Sequence, residues 1–508
     1  MWNRSACNDV MKEILTRHTP VKIKERIYRE NAALPFDGFR IKIDAKGAAE
    51  IHYRNARARK YAEDALKEME TIGAEAGVYA DHPDFMLRGL VEGFYGTPYS
   101  WETRREAVEF LARHKMNAYF YAPKDDLYHR EKWREPYPKE TLEQIAALNA
   151  LAEKKLVDFY FCLSPGKDFR FSDGRDFAAL CEKFAAVRAE GIKNFALFMD
   201  DIDPKLSEED ARLYGSAGRA HAALIDRCVK NVPSEMPWLF CPTEYMQNFD
   251  TEYRKDFREA AETDFIVFWT GYNTVAEAVG AEDGERVKSS FSRRLALWDN
   301  YPVNDFEPKR RLYLGAVKNR SPELKETHVG YVANPMPNWE ASKFALISQA
   351  LYCWDGARYS PEAAERTACA ELAPGAEEAA LSLVRRNGSG LFGENYRLRE
   401  RFAKEDRAFL DGYYEEQEKA VGTLERNLDK KTSAALGELF RYMLAEAKLY
   451  REARAGAIRE ETIKEMRDCA YRTQDQSLLE YVKEKYGVPA ELEEERRIWW
   501  KTEEGEDA

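Results

Sequence analysis

The chain has 508 residues, of which 44% are hydrophobic and 13% aromatic, a composition that predicts a globular protein of roughly three domains. Its formal net charge of −12 argues against a nucleic-acid partner, because binding to a phosphate backbone requires a basic surface. Eight scattered cysteines, with no C-x-x-C motif and no nearby histidine cluster, argue against a disulfide framework or a zinc site. We expect no metal and no cofactor.

No segment of the sequence predicts a membrane anchor. The start, MWNRSACNDVMKEIL, lacks the apolar core of a signal peptide, and no apolar stretch of about 18 residues occurs in the chain. We therefore expect no membrane partner and a cytoplasmic location. If a signal peptide has been removed from this sequence, the same pattern would be that of a secreted protein.

Residues 1–86 predict a small α/β domain. Two alternating apolar runs flank AKG in FRIKIDAKGAAEIHY, which indicates a β-hairpin. The following ARARKYAEDALKEMETIG has the pattern of a helix.

Residues 87–345 predict a closed barrel of parallel strands. Eight short apolar runs, rich in aromatic and β-branched residues, are bounded by Gly, Pro, Asn or Asp, as expected of strands covered on both faces. The runs are LRGLVEGFYG, NAYFYAP, VDFYFCLSP, NFALFMDD, WLFCPTEY, DFIVFWTG, RLALWDNYP and THVGYVANP. Amphipathic stretches at 102–115, 141–155 and 176–191 predict intervening helices.

Eight strand-helix units in about 250 residues match the (β/α)8 TIM barrel. A doubly wound open sheet is the structural alternative, and the absence of a Gly-rich phosphate loop favours the barrel. Residues 346–508 carry long stretches rich in Ala, Glu, Arg and Leu, such as EEAALSLVRRNG, which predict a helical bundle domain. The acidic end, EEGEDA, predicts a frayed terminus.

Polar and aromatic residues follow the predicted strands, where the βα loops of such a barrel carry the functional site. Carboxylates, amides, hydroxyls and aromatic rings with one lysine suit a sugar, whose hydroxyls need hydrogen bonds and whose C–H faces pack on rings. These residues are Gly93 and Tyr95, Lys124, Ser164, Asp200 and Asp201, Glu244 and Tyr245, Trp269 and Thr270, Trp298, Asp299, Asn300 and Asp305, and Asn334.

Two adjacent carboxylates, Asp200 and Asp201, end the apolar run FALFMDD in the middle of the barrel. On an ideal strand they would point to opposite faces, but where the backbone bends into a loop both can turn toward the barrel axis. One carboxyl group could then be kept protonated while the other is ionised, as glycoside hydrolysis requires. The alternative is chance, because the acid-rich chain has a second such pair at Asp125 and Asp126.

These residues lie in blocks that resemble glycoside hydrolase family 84, the β-N-acetylglucosaminidases that include the O-GlcNAc hydrolases. The blocks are RGLVEGFYGTPYSWETR, NAYFYAPKDDLYHR, FALFMDDID, CPTEY, WTG, WDNYPVND and ANPM. In order they cover about residues 88 to 340. Residues 1–86 are similar to the α/β domain that precedes the barrel of many bacterial members, and the tail resembles their helical domain in composition.

The resemblance implies a retaining reaction in which the 2-acetamido oxygen of the sugar attacks the anomeric carbon and forms an oxazoline. Asp200 matches the residue that orients and polarises the acetamido N–H, and Asp201 matches the general acid and base. Other positions match residues of the sugar-binding site. Tyr245 matches a hydrogen-bonding residue near the acetamido carbonyl, Trp298 the wall of the acetamido pocket, Asn300 and Asn334 residues lining the site, Asp305 a holder of outer hydroxyls, Gly93 a close backbone contact, and Lys124 a contact to a hydroxyl or to the carboxylates.

Each of these binding residues also has a purely structural interpretation. Gly93 could serve a tight turn, and Tyr245 and Trp298 could be barrel packing. Lys124 could be a surface cation paired with the second aspartate pair. Asn300 and Asn334 precede Tyr-Pro and Pro and could be turn residues.

The main hypothesis is therefore an exo-β-N-acetylglucosaminidase acting on a GlcNAc-containing glycoside or glycoprotein. The alternatives are a hyaluronidase-like endo-glycosidase, which the acidic charge balance disfavours, and a catalytically silent GlcNAc-binding module. A scaffold that binds partners through the helical tail is compatible with catalysis. A homodimer is expected from the resemblance alone.

Overall fold

The computed structural model describes residues 20–306, 310–388 and 398–487. The N-terminal part is a four-stranded sheet in the order β1-β3-β2-β4, with one helix packed against it. Its elements are β1 (Glu25–Glu30), β2 (Phe39–Ile43), β3 (Ala48–Tyr53), α1 (Ala56–Ile72) and β4 (Gly77–Asp81). Strands β2 and β3 pair antiparallel, so the predicted hairpin is confirmed. Alternate residues of β2 are buried, because only one face of this sheet meets the helix.

Eight parallel strands close into a barrel, which confirms the predicted fold and makes the open sheet wrong. Each predicted apolar run contains one of them. The strands are β5 (Leu87–Val91), β6 (Ala118–Tyr121), β7 (Asp158–Leu163), β8 (Asn194–Phe198), β9 (Leu239–Cys241), β10 (Ile266–Trp269), β11 (Arg294–Pro302) and β13 (His328–Asn334). They are almost wholly buried, because side chains of one parity fill the barrel and those of the other meet the surrounding helices.

Helices cover the outside of the barrel, and the three helices predicted from sequence are confirmed. The first begins at the Ser100 N-cap, whose side chain accepts a hydrogen bond from the Thr103 N–H. The helices between the strands are α2 (Trp101–Arg113), α3 (Lys139–Lys154), α4 (Gly174–Ala189), α5 (Glu208–Tyr214), α6 (Ala217–Asn231), α7 (Glu252–Ala260) and α8 (Ala281–Phe291), with a 3-10 turn at Pro322–Glu326.

The part of the chain after the barrel is helical, as predicted. Its helices are α9 (Trp339–Trp354), α10 (Pro361–Leu372), α11 (Glu377–Arg386), α12 (Leu398–Ala403), α13 (Arg407–Asn427), α14 (Lys430–Ala455), α15 (Glu460–Asp468) and α16 (Ser477–Tyr486). Domain boundaries at 86 and 345 remain predictions, and α9 runs across position 345. The predicted frayed end EEGEDA lies outside the described residues.

A two-residue ladder joins this helical part to the barrel. Strand β12 (Arg310–Arg311), in the loop between β11 and β13, pairs parallel with β14 (Tyr471–Arg472). The same loop carries Asp305. The helical part therefore contacts the loop of a predicted binding residue through the backbone.

A buried charge network joins the N-terminal sheet to the barrel. The carboxylate of Asp37 is fully buried, and it accepts hydrogen bonds from Arg88 on β5 at 2.8 Å and from Arg57 on α1 at 3.1 Å. Burial alone would raise the pKa of Asp37, but the two arginines outweigh it and the pKa is lowered. The two parts thus share a buried ion cluster.

Within the described ranges, no helix combines the length and the apolar character needed to cross a membrane.

Candidate active site

The alternation of side chains along the barrel strands brings the predicted site residues together. Val91, Phe198 and Val332 point into the barrel, and the residues two positions further on are Gly93, Asp200 and Asn334. Because the side-chain period of a strand is two, these residues continue the inward-facing rows beyond the strand ends. The same spacing leads from interior Ala122 to Lys124, from Cys241 by way of position 243 to Tyr245, and from Trp298 to Asn300.

Aromatic rings form the floor beneath these residues. The ring centroids of Phe198 and Trp298 lie 5.2 Å apart, those of Phe268 and Trp298 5.5 Å, and those of Phe120 and Phe268 5.5 Å. The barrel interior is thus packed rather than open, and the polar residues lie above an apolar layer.

Asp200 and Asp201 have different environments. Asp200 is only 4% exposed, whereas Asp201 is exposed. Asp201 has a φ of +52°, a left-handed conformation that is costly for a residue other than glycine. This turn of the backbone brings a side chain that would point outward back to the mouth of the barrel. The expectation that the backbone bend would bring both carboxylates to the barrel mouth therefore agrees with the geometry.

Lys124 forms a buried ion pair with Asp200. Its Nζ donates to Oδ2 of Asp200, and both side chains are almost inaccessible to solvent. Burial would lower the pKa of Lys124, but Asp200 and then Asp201 outweigh it and raise that pKa above its usual value. Lys124 is thus a buried cation of the site and not a surface partner of the second aspartate pair.

The second carboxylate oxygen of Asp200, Oδ1, does not take part in the ion pair with Lys124. Oδ1 is buried and has no hydrogen-bond partner among the residues that the structure describes. A buried carboxylate oxygen without a partner is unfavourable, so a donor from a bound molecule would be strongly favoured here.

Asp201 accepts two phenolic hydrogen bonds. The hydroxyl of Tyr245 donates to Oδ1 at 2.8 Å, and that of Tyr95 donates to Oδ2 at 2.7 Å. The residue as a whole is exposed, but neighbouring groups surround its carboxyl and partly desolvate it, which alone would raise the pKa of Asp201. Lys124, the two hydroxyls and Arg130 outweigh this and lower that pKa. The ionised carboxylate is therefore the favoured form in this state, and the single proton of Tyr245 is directed at Asp201.

A chain of hydrogen bonds connects four further predicted residues, which lie on or just after the neighbouring strands β5, β13 and β11. The Gly93 N–H donates to Oδ1 of Asn334 at 3.3 Å, and Nδ2 of Asn334 donates to Oδ1 of Asn300 at 2.9 Å. The indole N–H of Trp298 donates to the same Asn300 oxygen at 2.9 Å. These side chains thus form one connected network and are not isolated turn residues.

Gly93 is required by close packing. Its φ is not left-handed, but a Cβ at this position would overlap Cζ2 of Trp298. The absence of a side chain therefore lets the Trp298 indole lie directly against the backbone. Asp305 lies on the adjoining loop, where its Oδ2 accepts the Tyr95 N–H at 2.6 Å.

Other residues at the strand ends have structural roles. The second aspartate pair braces two loops: Oδ2 of Asp126 accepts hydrogen bonds from the hydroxyls of Tyr121 and Tyr137, and Oδ2 of Asp125 accepts the Gly96 N–H at 2.9 Å. Asp299 forms a buried ion pair with Arg320 at 2.8 Å behind the Trp298 segment.

Residues after Tyr245 are held by a buried arginine. Arg254 on α7 donates to the backbone carbonyls of Glu244, Gln247 and Phe249 at 3.1 to 3.2 Å, and to that of Met246. Burial lowers its pKa to about 10. Arg254 was not predicted, and neither was Arg130, which stands in the block NAYFYAPKDDLYHR. No spacing rule identifies either, because Arg130 acts on loops distant in sequence and Arg254 acts on main-chain carbonyls, which every residue has.

No three His, Cys, Asp or Glu side chains in the described parts of the chain are grouped so that they could hold a metal ion. The arrangement instead consists of a buried carboxylate paired with lysine, an exposed carboxylate, and an aromatic and amide wall. Such a site can accept an N–H, donate or remove a proton, and bind a small polar ring.

Comparison with known proteins finds relatives of this chain. The family model described as beta-N-acetylglucosaminidase matches residues 88–385. Protein O-GlcNAcase from Rattus norvegicus and that from Mus musculus are each 35% identical over 272 residues, which is 52% of this chain. The chain spans only 30% of the length of either relative.

Solved structures agree with the sequence matches. One described as CpGH84B is similar with a TM-score of 0.76 and 25% identity, over 89% of this chain and 86% of its own. A mutant O-GlcNAc hydrolase from Thermobaculum terrenum is similar with a TM-score of 0.71 and 26% identity, over 79% of this chain and 94% of its own. The family model covers more than half of the chain and includes every predicted site residue, and the chain belongs to the β-N-acetylglucosaminidases of glycoside hydrolase family 84.

Proposed function

We propose that the chain is a retaining exo-β-N-acetylglucosaminidase that removes terminal β-linked GlcNAc by substrate-assisted catalysis. The observation that carries the proposal is the buried, unpartnered Oδ1 of Asp200 beside the exposed carboxylate of Asp201. An acetamido N–H is the donor that this oxygen lacks, and a leaving oxygen needs an accessible proton donor.

In the first step, Asp200 accepts the acetamido N–H and thereby increases the electron density on the acetamido carbonyl oxygen. That oxygen attacks the anomeric carbon as the bond to the leaving oxygen breaks. Asp201, which takes up a proton once the substrate displaces the phenolic hydroxyls, gives that proton to the leaving oxygen. An oxazoline protonated on nitrogen forms, and its N–H stays hydrogen-bonded to Asp200. In the second step the Asp201 carboxylate removes a proton from water, which attacks the anomeric carbon and opens the oxazoline with retained configuration.

Lys124 supports this division of labour through charge. Its ammonium group is paired with Oδ2 of Asp200, which leaves the other carboxylate oxygen to face the substrate. Positive charge develops on the sugar and on the acetamido nitrogen in the transition state. The buried Asp200 carboxylate would stabilise that charge.

The network across the mouth suits the remainder of the sugar. Trp298 would form the wall of the acetamido pocket, with Gly93 close behind it, and Asn300 and Asn334 would hold the polar groups of the ring. Asp305 would accept outer hydroxyls. Tyr245, which donates to Asp201 here, would redirect its proton toward the acetamido carbonyl when substrate binds.

The relatives named Protein O-GlcNAcase suggest that the substrate is a protein bearing O-linked GlcNAc. A cytoplasmic location, a homodimer and the lack of nucleic-acid or membrane partners remain predictions. The endo-glycosidase and the silent binding module remain the alternatives to be tested.

The test is hydrolysis of aryl N-acetyl-β-glucosaminides with good and poor leaving groups by the wild type, Asp200→Ala and Asp201→Ala. Asp201→Ala, which removes the general acid, should slow mainly hydrolysis of the substrate with the poor leaving group. Asp200→Ala should slow hydrolysis of both substrates. A wild type that binds GlcNAc without turnover would establish the silent module and overturn the proposal.

Two further measurements address retention and the mode of attack. Proton NMR of the first product should show the β-anomer before mutarotation. Incubation with a hyaluronan-like polymer should release only terminal GlcNAc. An α-anomer as first product would contradict retention, and internal fragments of the polymer would favour the endo-glycosidase.

A further inference from the structure

Arg130 makes two contacts at the exposed carboxylate without touching its oxygens. Its Nη1 donates to the Tyr95 hydroxyl at 2.7 Å, and its Nη2 donates to the backbone carbonyl of Asp201 at 3.1 Å. The Tyr95 hydroxyl in turn donates to Oδ2 of Asp201. A closed cycle of hydrogen bonds therefore runs through Arg130, Tyr95 and both the main chain and side chain of Asp201.

The two partners differ in exposure. Arg130 is 5% exposed, whereas Tyr95 is 38% exposed and lies at the rim. The Tyr95 N–H is also held by Asp305. The backbone of Tyr95 is thus fixed, while its side chain is partly exposed at the rim.

When a phenol oxygen accepts a hydrogen bond from a cation, the hydroxyl becomes a stronger donor and its proton must point away from that cation. Arg130 occupies one lone pair of the Tyr95 oxygen, and the hydroxyl proton is directed at Asp201. The second contact, to the Asp201 carbonyl, supports the left-handed conformation at that residue. Sequence alone did not indicate this role.

We propose that Arg130 is a positioning residue that acts through the Tyr95 hydroxyl, fixing the orientation of the Asp201 carboxylate and setting how readily Asp201 takes up a proton. The inference rests on the proposed function, in which Asp201 gives a proton to the leaving oxygen. That oxygen must approach Asp201, and the exposed Tyr95 hydroxyl occupies Oδ2 until it does. Arg130 thereby controls how much of the free protein is ready to donate.

Three other charged or titratable groups face Asp201 and are left unchanged in every variant, because each of them also affects the pKa of Asp201. They are Lys124, Asp200 and the hydroxyl of Tyr245. Lys124 also acts on Asp201 through its charge alone. The positive charge of Arg130 could lower the pKa of Asp201 directly in the same way. The experiment must therefore separate this direct effect from an effect that passes through the Tyr95 hydroxyl.

The experiment is a double-mutant cycle with Arg130→Met, Tyr95→Phe and the double variant in the full chain. The pKa of Asp201 is measured by carbon NMR of labelled aspartate carboxyls, assigned with Asp201→Asn. The basic limb of kcat/KM is measured in parallel. Arg134→Met is the matched control, because that arginine lies four residues away and pairs with Asp168 and Asp176.

We expect each single variant to increase the proton affinity of Asp201 about tenfold, as the loss of a charge-assisted hydrogen bond implies, and the control to leave it unchanged. In the Tyr95→Phe background, Arg130→Met should have little further effect. Arg130→Lys should resemble Arg130→Met, because one ammonium group does not reproduce the fork that reaches both partners.

An equal effect of Arg130→Met in both backgrounds, or rescue by Arg130→Lys, would establish a direct charge effect and overturn the inference. An unchanged pKa of Asp201 in every folded variant would overturn it too. The NMR titration needs no turnover. An inactive wild type with an intact cycle would therefore reject the proposed function and leave the role of Arg130 standing.

Discussion

Substitution of Gly93 by alanine is expected to displace the wall of the candidate acetamido pocket. The new Cβ would overlap Cζ2 of Trp298 and lie 3.3 Å from Cγ2 of Val91. The Gly93 backbone follows a barrel strand and is tied to Asn334, so the indole is the group more free to move. Its movement would break the hydrogen bond from the Trp298 indole to Asn300.

The size of the effect follows from packing. Inserting a methyl group into a filled site costs about 1–3 kcal/mol, and the lost hydrogen bond adds about 1 kcal/mol. At about 1.4 kcal/mol for each factor of ten, kcat/KM should fall by roughly 30-fold to 700-fold if the whole cost falls on substrate binding and catalysis. If the backbone yields instead, part of the cost appears as a lower free energy of unfolding.

The assay is kcat/KM on an aryl N-acetyl-β-glucosaminide together with unfolding in urea. Gly174→Ala is the control, because no atom lies within 4 Å of a Cβ at that position. A Gly93→Ala variant with kcat/KM within twofold of the wild type and unchanged stability would refute the packing argument.

Three further predictions concern residues around the site and at the base of the barrel. Tyr245→Phe removes a donor to Asp201, so the pKa of Asp201 should rise and the basic limb of kcat/KM should move to higher pH. Asp37→Asn should lower the free energy of unfolding in urea at neutral pH by about 3–5 kcal/mol, because the Arg88 charge loses its buried partner. Since the pKa of Asp37 is lowered in the folded state, its contribution is present above about pH 4 and lost below it, so the difference from wild type should narrow in acid. Arg254→Met should lower kcat/KM at least tenfold, because several carbonyls of the Tyr245 loop lose their donor.

Each of these predictions has a contradicting result. A basic limb at unchanged pH in Tyr245→Phe would mean that this hydroxyl does not affect Asp201. A stability difference that stays constant between pH 7 and pH 3 would exclude Asp37 as the titrating group. For the loop, Arg219→Met is the control. That arginine pairs with Asp256 and Glu259 of α7 on the outside of the barrel and does not contact the Tyr245 loop in these pairs. Equal activity of the Arg254 and Arg219 variants would reject the positioning of the loop.

The barrel could be predicted from sequence because strands buried on both faces need continuous apolar runs. The sequence pattern did not predict two strands of the N-terminal sheet, β1 and β4. The β1 sequence, ERIYRE, is mostly charged and exposed, so it carries neither an apolar run nor a clear alternation. Their place in the sheet is set by pairing with β3 and β2.

For the site, sequence indicated which residues meet at the barrel mouth but not what each one contacts. The period of two accounts for Lys124 and Asp200, whereas their ion pair depends on burial that a sequence does not display. Arg130 lies in a loop and Arg254 on α7, and both donate to backbone carbonyls, for which no residue pattern exists. Resemblance to the family supplied roles for other residues and was silent on these two.

The ladder between β12 and β14 has a consequence for how the protein can be divided. Two barrel-loop residues, Arg310 and Arg311, complete their backbone pairing with Tyr471 and Arg472, more than 150 positions further along the chain. A fragment ending at residue 345 would leave this short edge unpaired, next to the loop that carries Asp305. Loss of activity on such a truncation would therefore report a damaged Asp305 loop as readily as a missing binding partner.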